Sequence, residues 1–135
     1  MGRILAIDYG DQRIGLALSD PLKIIASPYK TIINKNKDYS INLIEDIIVK
    51  EDVELTIVGL PLAMSGQTTA QTVKVKFFTD KLLLKGLKIK YIDERWSSIA
   101  AKRSMKEQGL KTGHNKPIVD QTAAAIFLQQ YLDQK

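Results

Sequence analysis

The sequence predicts an α/β fold in which a mixed five-stranded sheet carries helices on its faces. Three observations predict this fold. The first 34 residues read as three short strands joined by turns that contain Gly or Pro, which is typical of an antiparallel meander. Apolar residues then recur at helical spacing, and two further short apolar strands alternate with these helical stretches. The predicted order is β-β-β-α-β-α-β-α-α, so a hairpin continues into β-α-β units within one sheet.

The elements of the first half follow from local pattern. Strands are predicted over residues 3–9, 14–19 and about 27–34, and the "RIG" turn leads into the second of them. The segment "SINLIEDIIVKED" changes to helical spacing, with apolar residues at Ile41, Leu43, Ile44, Ile47 and Ile48. The segment "ELTIVGL" (54–60) is a short apolar strand bounded by Gly59 and Pro61.

The second half predicts three helices and one strand. A helix runs from Thr68 to Leu84, and Gly86 stands at a natural C-cap position. The segment "KIKYID" (88–93) is a strand. Ser97 or Ser98 can cap a helix that Gly109 ends. After the polar loop "LKTGHNK", Pro117 suits the first turn of a last helix that runs to about Leu132.

Composition narrows the possible chemistry. The 135 residues predict a single domain, 1–135, without an apolar run long enough for a membrane span and without a signal peptide, so we expect a cytoplasmic protein with no membrane partner. The absence of cysteine excludes disulfides, thiolate zinc sites and thiol nucleophiles. A Ser-His-Asp triad would have only His114 to draw on.

The positive charge is concentrated in two segments. The formal net charge is +5, and basic residues cluster in residues 71–90 and 100–117. For any single lysine, a solvated helix face is the simpler explanation. Two basic segments beside acidic motifs nevertheless favour a nucleic-acid partner.

Acidic residues stand at three positions that predict a site. Asp8 ends the first strand, Asp93 and Glu94 end the last strand, and Asp120 lies one turn into the last helix. A strand-end acid is often only a turn residue or a cap. Asp120 is less easily explained, although its position near the N-terminus of a helix is also favourable to the helix dipole. At helical spacing it shares an apolar face with Ala123, Ala124, Phe127 and Tyr131.

The predicted sheet order gathers these acids. The first strand is central, the fourth pairs parallel beside it, and the fifth extends the same side. The last helix can then bring Asp120 over the edge at which Asp8 and the 93–94 pair end. Clusters of carboxylates suit Mg²⁺ or Mn²⁺, and two such ions can activate a water for phosphodiester hydrolysis.

Four motifs make a family resemblance. The segments "DYGDQRIGLALSD", "IVGLPLAMSG", "DERWSS" and "VDQTAAAIFLQQYLD" resemble, in order and spacing, the motifs of the YqgF family, also called RuvX. These are Holliday junction resolvase-like proteins, also described as nucleases that mature the 5′ end of small-subunit ribosomal RNA. The resemblance covers essentially the whole chain. It implies an RNase H-like fold, cytoplasmic location, and metal-dependent cleavage of precursor rRNA or branched DNA, with ribosomal particles as further partners.

Carried over by position, the resemblance assigns roles to particular residues. The family's three catalytic and metal-binding acids fall on Asp8, Glu94 and Asp120, and Asp93 remains the alternative to Glu94. Arg13 and Arg95 are expected near the scissile phosphate. The alternative for these arginines is an ion pair with Asp8, Asp11 or Asp93. The remaining candidates for substrate binding are Lys102, Arg103, Lys111, His114 and Lys116. For His114, a solvated loop residue is the simpler explanation.

Some features depart from the family pattern or leave it open. Ala6, Ser65 and Trp96 replace residues more usual in the family, and the basic loop before the last helix is reduced.

Two other functions are less favoured. The short chain argues against an actin-like kinase, because such a kinase needs a second comparable domain to close over the nucleotide. The retained acids argue against a non-catalytic binding factor. The sequence leaves open a monomer or a homodimer. Because close carboxylates repel one another, it also predicts that Asp120→Asn leaves the metal-free protein no less stable.

Overall fold

The computed structural model describes residues 2–63, 65–93 and 116–134, with side chains from Asp120 onward in the last segment. Five strands form one sheet in the order β3-β2-β1-β4-β5. The pairs β1–β2 and β2–β3 are antiparallel, whereas β1–β4 and β4–β5 are parallel. The mixed sheet and the central position of β1 confirm the prediction. The strands are β1 (Arg3–Tyr9), β2 (Arg13–Ser19), β3 (Ala26–Ile33), β4 (Val53–Leu60) and β5 (Ile89–Asp93).

Three helices are described: α1 (Lys37–Lys50), α2 (Ala70–Leu83) and α3 (Lys116–Asp133). Helix α1 begins three residues before the stretch predicted from periodicity, because the Asn36 side chain accepts a hydrogen bond from the Tyr39 amide and caps it. Thr69 caps α2. Gly86, two residues beyond the C-cap Leu84, has φ of +80°, a conformation that favours glycine. The helix predicted between Ser97 or Ser98 and Gly109 lies outside the described residues.

The sheet is covered on both faces, so β1 is buried almost throughout. One face packs against α1 and α2 through large side chains, among them Leu5, Ile7, Ile44, Val58 and Phe78. Tyr9 and Phe78 bring their ring centroids to 4.4 Å there. Each such large buried side chain contributes about 1.5–3 kcal/mol.

The other face packs against α3 through smaller residues. Ile4, Ala6, Ala17 and Ile57 of the sheet meet Ala124, Ala125, Phe127 and Leu128 of the helix. Alanines on both sides allow the helix backbone to approach the strands closely. The helix therefore lies near enough to β1 and β2 for its first turns to reach the edge where β1 ends.

No helix in the described part of the chain is both long and apolar enough to cross a membrane.

Candidate active site

The side of the sheet on which Asp8 lies follows from the alternation of β1. Ile4 and Ala6 pack on the α3 face, whereas Leu5 and Ile7 pack on the opposite face. Asp8 continues the first set, so its side chain is on the α3 face of the sheet. It is half-buried and lies one residue before the end of the strand.

Gly15 connects Asp8 to Asp120. Gly15 is the register partner of Asp8 on β2, so both residues direct their Cβ positions to the same face. A Cβ added to Gly15 would lie 2.8 Å from the Cβ of Asp120 and closer still to its carbonyl group. The structure therefore brings Asp8 and Asp120 to neighbouring positions on one face, with Gly15 between them. This close approach explains one of the two glycines that follow Asp8.

Arg13 forms an ion pair with Asp120. Its Nε donates to Asp120 Oδ2 at 3.1 Å, and each side chain is about a quarter exposed. Arg13 is two residues before Gly15 on β2 and so points to the same face. The partner is not one of the acids considered from the sequence: Asp11 instead pairs with Lys74 at 3.1 Å.

The turn between β1 and β2 is held by Asn34, which sequence reasoning missed. Its Nδ2 donates to the Gly10 carbonyl at 3.0 Å, and its backbone N–H donates to the Gln12 carbonyl at 2.9 Å. Its Oδ1 accepts a hydrogen bond from Ser40 Oγ at 2.7 Å. At Gly10, an added Cβ would meet the Arg13 carbonyl oxygen at 2.5 Å. These contacts fix the turn that separates Asp8 from Arg13. Asn34 stands at the predicted end of the third strand, and that position gives no signal of these bonds.

The loop after β4 is fixed by contacts within the loop and with the start of α2. Leu62 forms an isolated antiparallel bridge with Thr68, and the Ala63 amide donates to the Gln67 carbonyl at 2.9 Å. The buried Thr72 hydroxyl donates to the Pro61 carbonyl oxygen. The segment after Gly59 is thus tied to the start of α2.

Strand β5 brings Asp93 level with Leu60 of β4. Ile92 packs with the cluster on the α3 face. Because side chains alternate along a strand, Asp93 is directed to the opposite face from Asp8. Its side chain is exposed.

Several predicted site residues lie outside the described part of the chain. They are Glu94, Arg95, Lys102, Arg103, Lys111 and His114. Lys116 is the first residue of α3, and only its backbone is described. Of the three predicted catalytic acids, the structure therefore places two.

The described acids are ligands of the type that a hard divalent cation prefers, but they are too few to form a complete metal site. Asp8 and Asp120 supply half-buried carboxylates on one face, which are the oxygen ligands that Mg²⁺ and Mn²⁺ prefer. Within residues 2–63, 65–93 and 116–134, no group of three or more acidic, histidine or cysteine side chains is arranged to hold a metal. A third ligand from elsewhere in the chain would be required.

Comparison with known proteins gives the context for this arrangement. Residues 2–134 match the RuvX family, described as Holliday junction resolvase. A protein of Fusobacterium nucleatum named "Putative pre-16S rRNA nuclease" is 41% identical, covering 100% of this chain and 99% of the relative. A protein of Clostridium botulinum with the same name is 42% identical, covering 97% of this chain and 96% of the relative.

Solved structures with low sequence identity share the fold. One is titled "T. thermophilus RuvC in complex with Holliday junction substrate", with a TM-score of 0.56, 16% identity, and coverage of 99% of this chain and 95% of that one. A fowlpox virus resolvase, solved with Holliday junction DNA, has a TM-score of 0.58 at 9% identity, covering 98% and 97% of the two chains. The fold is thus that of the RuvC-like, RNase H-type resolvases. On the family match over residues 2–134 and relatives above 40% identity over nearly the full length, the chain belongs to the RuvX family.

Proposed function

We propose that the chain is a divalent-metal-dependent nuclease that hydrolyses phosphodiester bonds in structured nucleic acid, with the 5′ region of precursor 16S rRNA as its substrate. One observation carries the proposal: Asp8 and Asp120 lie on the same face of the sheet, on either side of a glycine that allows the helix to approach. Membership of the RuvX family supports it.

The ligands of the ions are Asp8, Glu94 and Asp120. The orientation of Asp93, on the opposite face from Asp8, favours Glu94 as the acid that the family motif supplies. When bound, a pair of Mg²⁺ or Mn²⁺ ions supplies an activated water and stabilisation of the leaving oxygen. The role of the chain is to hold three carboxylates in place on a sheet edge and a helix that are packed together.

Arg13 has two tasks in this proposal. Its Nε holds Asp120, which orients that carboxylate. An arginine has five N–H donors, and this contact uses one of them, so the remaining donors suit the oxygens of a phosphate. The two roles weighed from the sequence, ion pairing and phosphate binding, are therefore compatible in one side chain. Arg95, Lys102, Arg103, Lys111, His114 and Lys116 are proposed as further contacts to the nucleic acid.

Precursor rRNA is the preferred substrate because the relatives above 40% identity are named for it. The second candidate is a four-way DNA junction, which the family description favours. Either substrate would be met in the cytoplasm, and the RNA would be met on ribosomal precursor particles. Junction cleavage requires two symmetric cuts and so favours a homodimer, whereas RNA trimming is compatible with a monomer.

The deciding experiment compares the two substrates side by side. Purified protein is incubated with a ribosomal leader RNA and with a synthetic four-way DNA junction, each with Mg²⁺, with Mn²⁺ or with EDTA. We expect metal-dependent cleavage of the RNA, and its loss in Asp8→Asn while binding of the RNA persists. Preferential cutting of the junction would select the second candidate. Equal cutting by wild type and Asp8→Asn would identify a contaminating nuclease and contradict the proposed function.

A further inference from the structure

An exposed aromatic ring on α2 lies close to lysines from two helices. Phe77 is 54% exposed. The Nζ of Lys37, from the first turn of α1, lies 3.9 Å from the centroid of its ring, and the Nζ of Lys81 lies 5.6 Å from it. Lys74 precedes Phe77 by three residues on α2, so it shares the same helix face. We call Lys37, Lys74, Phe77 and Lys81 the Phe77 surface.

The charge of this surface is only partly compensated. Lys74 pairs with Asp11. Within the described residues, Lys37 and Lys81 form no salt bridge, and both are directed to the ring instead. The neighbouring acids in the two helices are Asp38 of α1 and the exposed Asp80 of α2, and among the described residues neither forms a salt bridge with Lys37 or Lys81. Asp38 lines an open groove of about 490 Å³ together with Lys81, Lys85 and Leu84. Two ammonium groups held by one ring repel each other, and a bound anion would relieve that repulsion.

The Phe77 surface is connected to the edge that carries Asp8. The Lys74–Asp11 ion pair joins α2 to the turn that follows β1. From Lys74, the surface extends along α2 to Lys81, seven residues on, which is about 10 Å at 1.5 Å per residue. A single nucleic-acid strand carries one phosphate per roughly 3.4 Å of helix axis, so this length corresponds to about three nucleotides.

The geometry points to a nucleic-acid contact at the Phe77 surface, in which Lys37, Lys74 and Lys81 bind the backbone of a segment flanking the cleaved region. This inference rests on the proposed function, because the segment belongs to the same substrate. The surface is on the α1 and α2 side of the sheet, whereas Asp8 and Asp120 are on the α3 side. The substrate therefore has to pass over the β1–β2 turn to reach both.

A polyanion fits this surface better than a second copy of the chain does. A two-fold contact centred on Phe77 would bring the Lys37 and Lys81 ammonium groups of both copies together, and like charges at an interface are unfavourable. Aromatic rings combined with lysines are the usual components of surfaces that bind single-stranded nucleic acid. A second such pair lies nearby in sequence, where Lys35 Nζ is 4.8 Å from the ring centroid of Tyr39.

Binding is measured without cleavage to test this inference. The probe is a fluorescein-labelled RNA hairpin with a single-stranded flank, titrated in EDTA over a range of salt concentrations. The variant Lys37→Gln/Lys81→Gln should bind at least tenfold more weakly at low salt. Its slope of log affinity against log salt should fall by about 1.5, as expected for two lost phosphate contacts. Phe77→Leu should also weaken binding, because it removes the ring that positions the lysines. The substitution keeps an apolar side chain at this position.

The matched control is Lys30→Gln/Lys50→Gln. It makes the same change in net charge, and Lys30 also lies near an aromatic ring, that of Tyr29, at 5.7 Å. Lys50 ends α1, 13 residues or about 20 Å along the helix from Lys37. This control should bind within about twofold of wild type. Thermal melts of all variants check that each is folded.

Two results would overturn the inference. They are wild-type affinity in Lys37→Gln/Lys81→Gln and an equal loss in the Lys30→Gln/Lys50→Gln control. Wild-type affinity accompanied by a changed sedimentation coefficient would assign the surface to contacts between copies. Because no step requires metal, the inference can fail while cleavage by the wild type persists, and the cleavage assay can fail while the binding result stands.

Discussion

Gly15 of β2 lies directly beneath the backbone of Asp120 in α3. A Cβ on Gly15 would lie 2.8 Å from the Cβ of Asp120, a separation that real side chains essentially never show. Because Asp8 is the register partner of Gly15, this contact also determines how far α3 stands from Asp8. The spacing of two candidate metal ligands therefore depends on a residue that has no side chain.

Replacement of Gly15 with alanine should displace the first turns of α3. The added methyl group meets backbone atoms of Asp120, which cannot rotate away as a flexible side chain would. Overpacking of this kind costs about 1–3 kcal/mol. A shift of about 1 Å at a metal ligand can lower cleavage about 100-fold. Denaturant unfolding and a metal-dependent cleavage assay on Gly15→Ala check the two effects.

Gly86→Ala is the matched control. At Gly86 the space for a Cβ is open, but φ is +80°. The substitution should cost about 1 kcal/mol through backbone strain alone, with cleavage unchanged. If both variants lose stability and both lose activity, then activity follows global stability. The inference that Gly15 acts by positioning Asp120 would then be wrong.

The ion pair between Arg13 and Asp120 changes what is expected of Asp120→Asn. From the sequence, removing one of several repelling carboxylates should leave the metal-free protein no less stable. The structure shows that Asp120 accepts a hydrogen bond from Arg13, so the substitution also removes an ion pair. A pair about a quarter exposed is worth about 0.5 kcal/mol. We expect a small loss of stability without metal. If the proposed metal site is correct, added Mg²⁺ should stabilise the wild type but not Asp120→Asn.

Asp11→Asn provides the comparison for Asp120→Asn. It removes an ion pair of the same 3.1 Å length, between Asp11 and Lys74, that is not part of the proposed metal site. Thermal melts with and without Mg²⁺ should show the full metal-induced shift in Asp11→Asn and none in Asp120→Asn. An undiminished shift in Asp120→Asn would rule out Asp120 as a ligand.

Most of the fold could be predicted from the sequence, because its strands and helices have distinct periods. The hairpin, the two parallel strands and the last helix lie within a few residues of their predicted bounds. Periodicity alone places the start of α1 too late, since Lys37 carries no apolar signal and only the cap at Asn36 shows that the helix begins there. Local pattern predicts elements well where burial decides them.

The contacts of the site were harder to predict, because they depend on which strand α3 crosses. Position in the sequence suggested Asp8, Asp11 or Asp93 as partners for Arg13, but α3 lies over Gly15 and brings Asp120 to Arg13. The hydrogen bonds from Asn34 to the β1–β2 turn likewise depend on the pairing of β3 with β2. Side chains alternate along β5, so the packing of Ile92 against α3 is informative about whether Asp93 or Glu94 is the metal ligand. This argument requires knowing which face of the sheet α3 covers.

The turn after β2 contains a carboxylate with a pH-dependent role. Asp20 Oδ1 accepts hydrogen bonds from the amides of Ile24 at 2.7 Å and Ile25 at 2.8 Å. These two bonds, first that from Ile25, lower the pKa of Asp20 below its ordinary value of 3.8. Since the folded pKa is the lower one, the stabilisation is complete above the unfolded value near 3.8. It is lost as the pH falls through the folded pKa.

Asp20→Asn tests this pH dependence, because asparagine keeps an oxygen acceptor but removes the charge. The difference in free energy of unfolding between wild type and Asp20→Asn should be constant from pH 5 to pH 7 and should shrink as the pH falls below about 4. Urea unfolding at a series of pH values measures it. A difference that does not change between pH 5 and pH 2.5 would contradict the assigned role of the charge.

Thr72 should be more important for stability than its place in the first turns of α2 suggests. Its hydroxyl donates to the Pro61 carbonyl and accepts from the Thr69 amide at 2.9 Å, and the residue is fully buried. Thr72→Val keeps the shape but leaves both partners without this bond, which costs about 1–3 kcal/mol. Thr79→Val is the control: Thr79 is equally buried, but its hydroxyl donates at 2.8 Å to the carbonyl of Val75 within the helix, which already accepts a helical hydrogen bond. Denaturant unfolding should therefore show the larger loss in Thr72→Val. An equal loss in the two variants would mean that the tie between α2 and the loop after β4 contributes nothing specific.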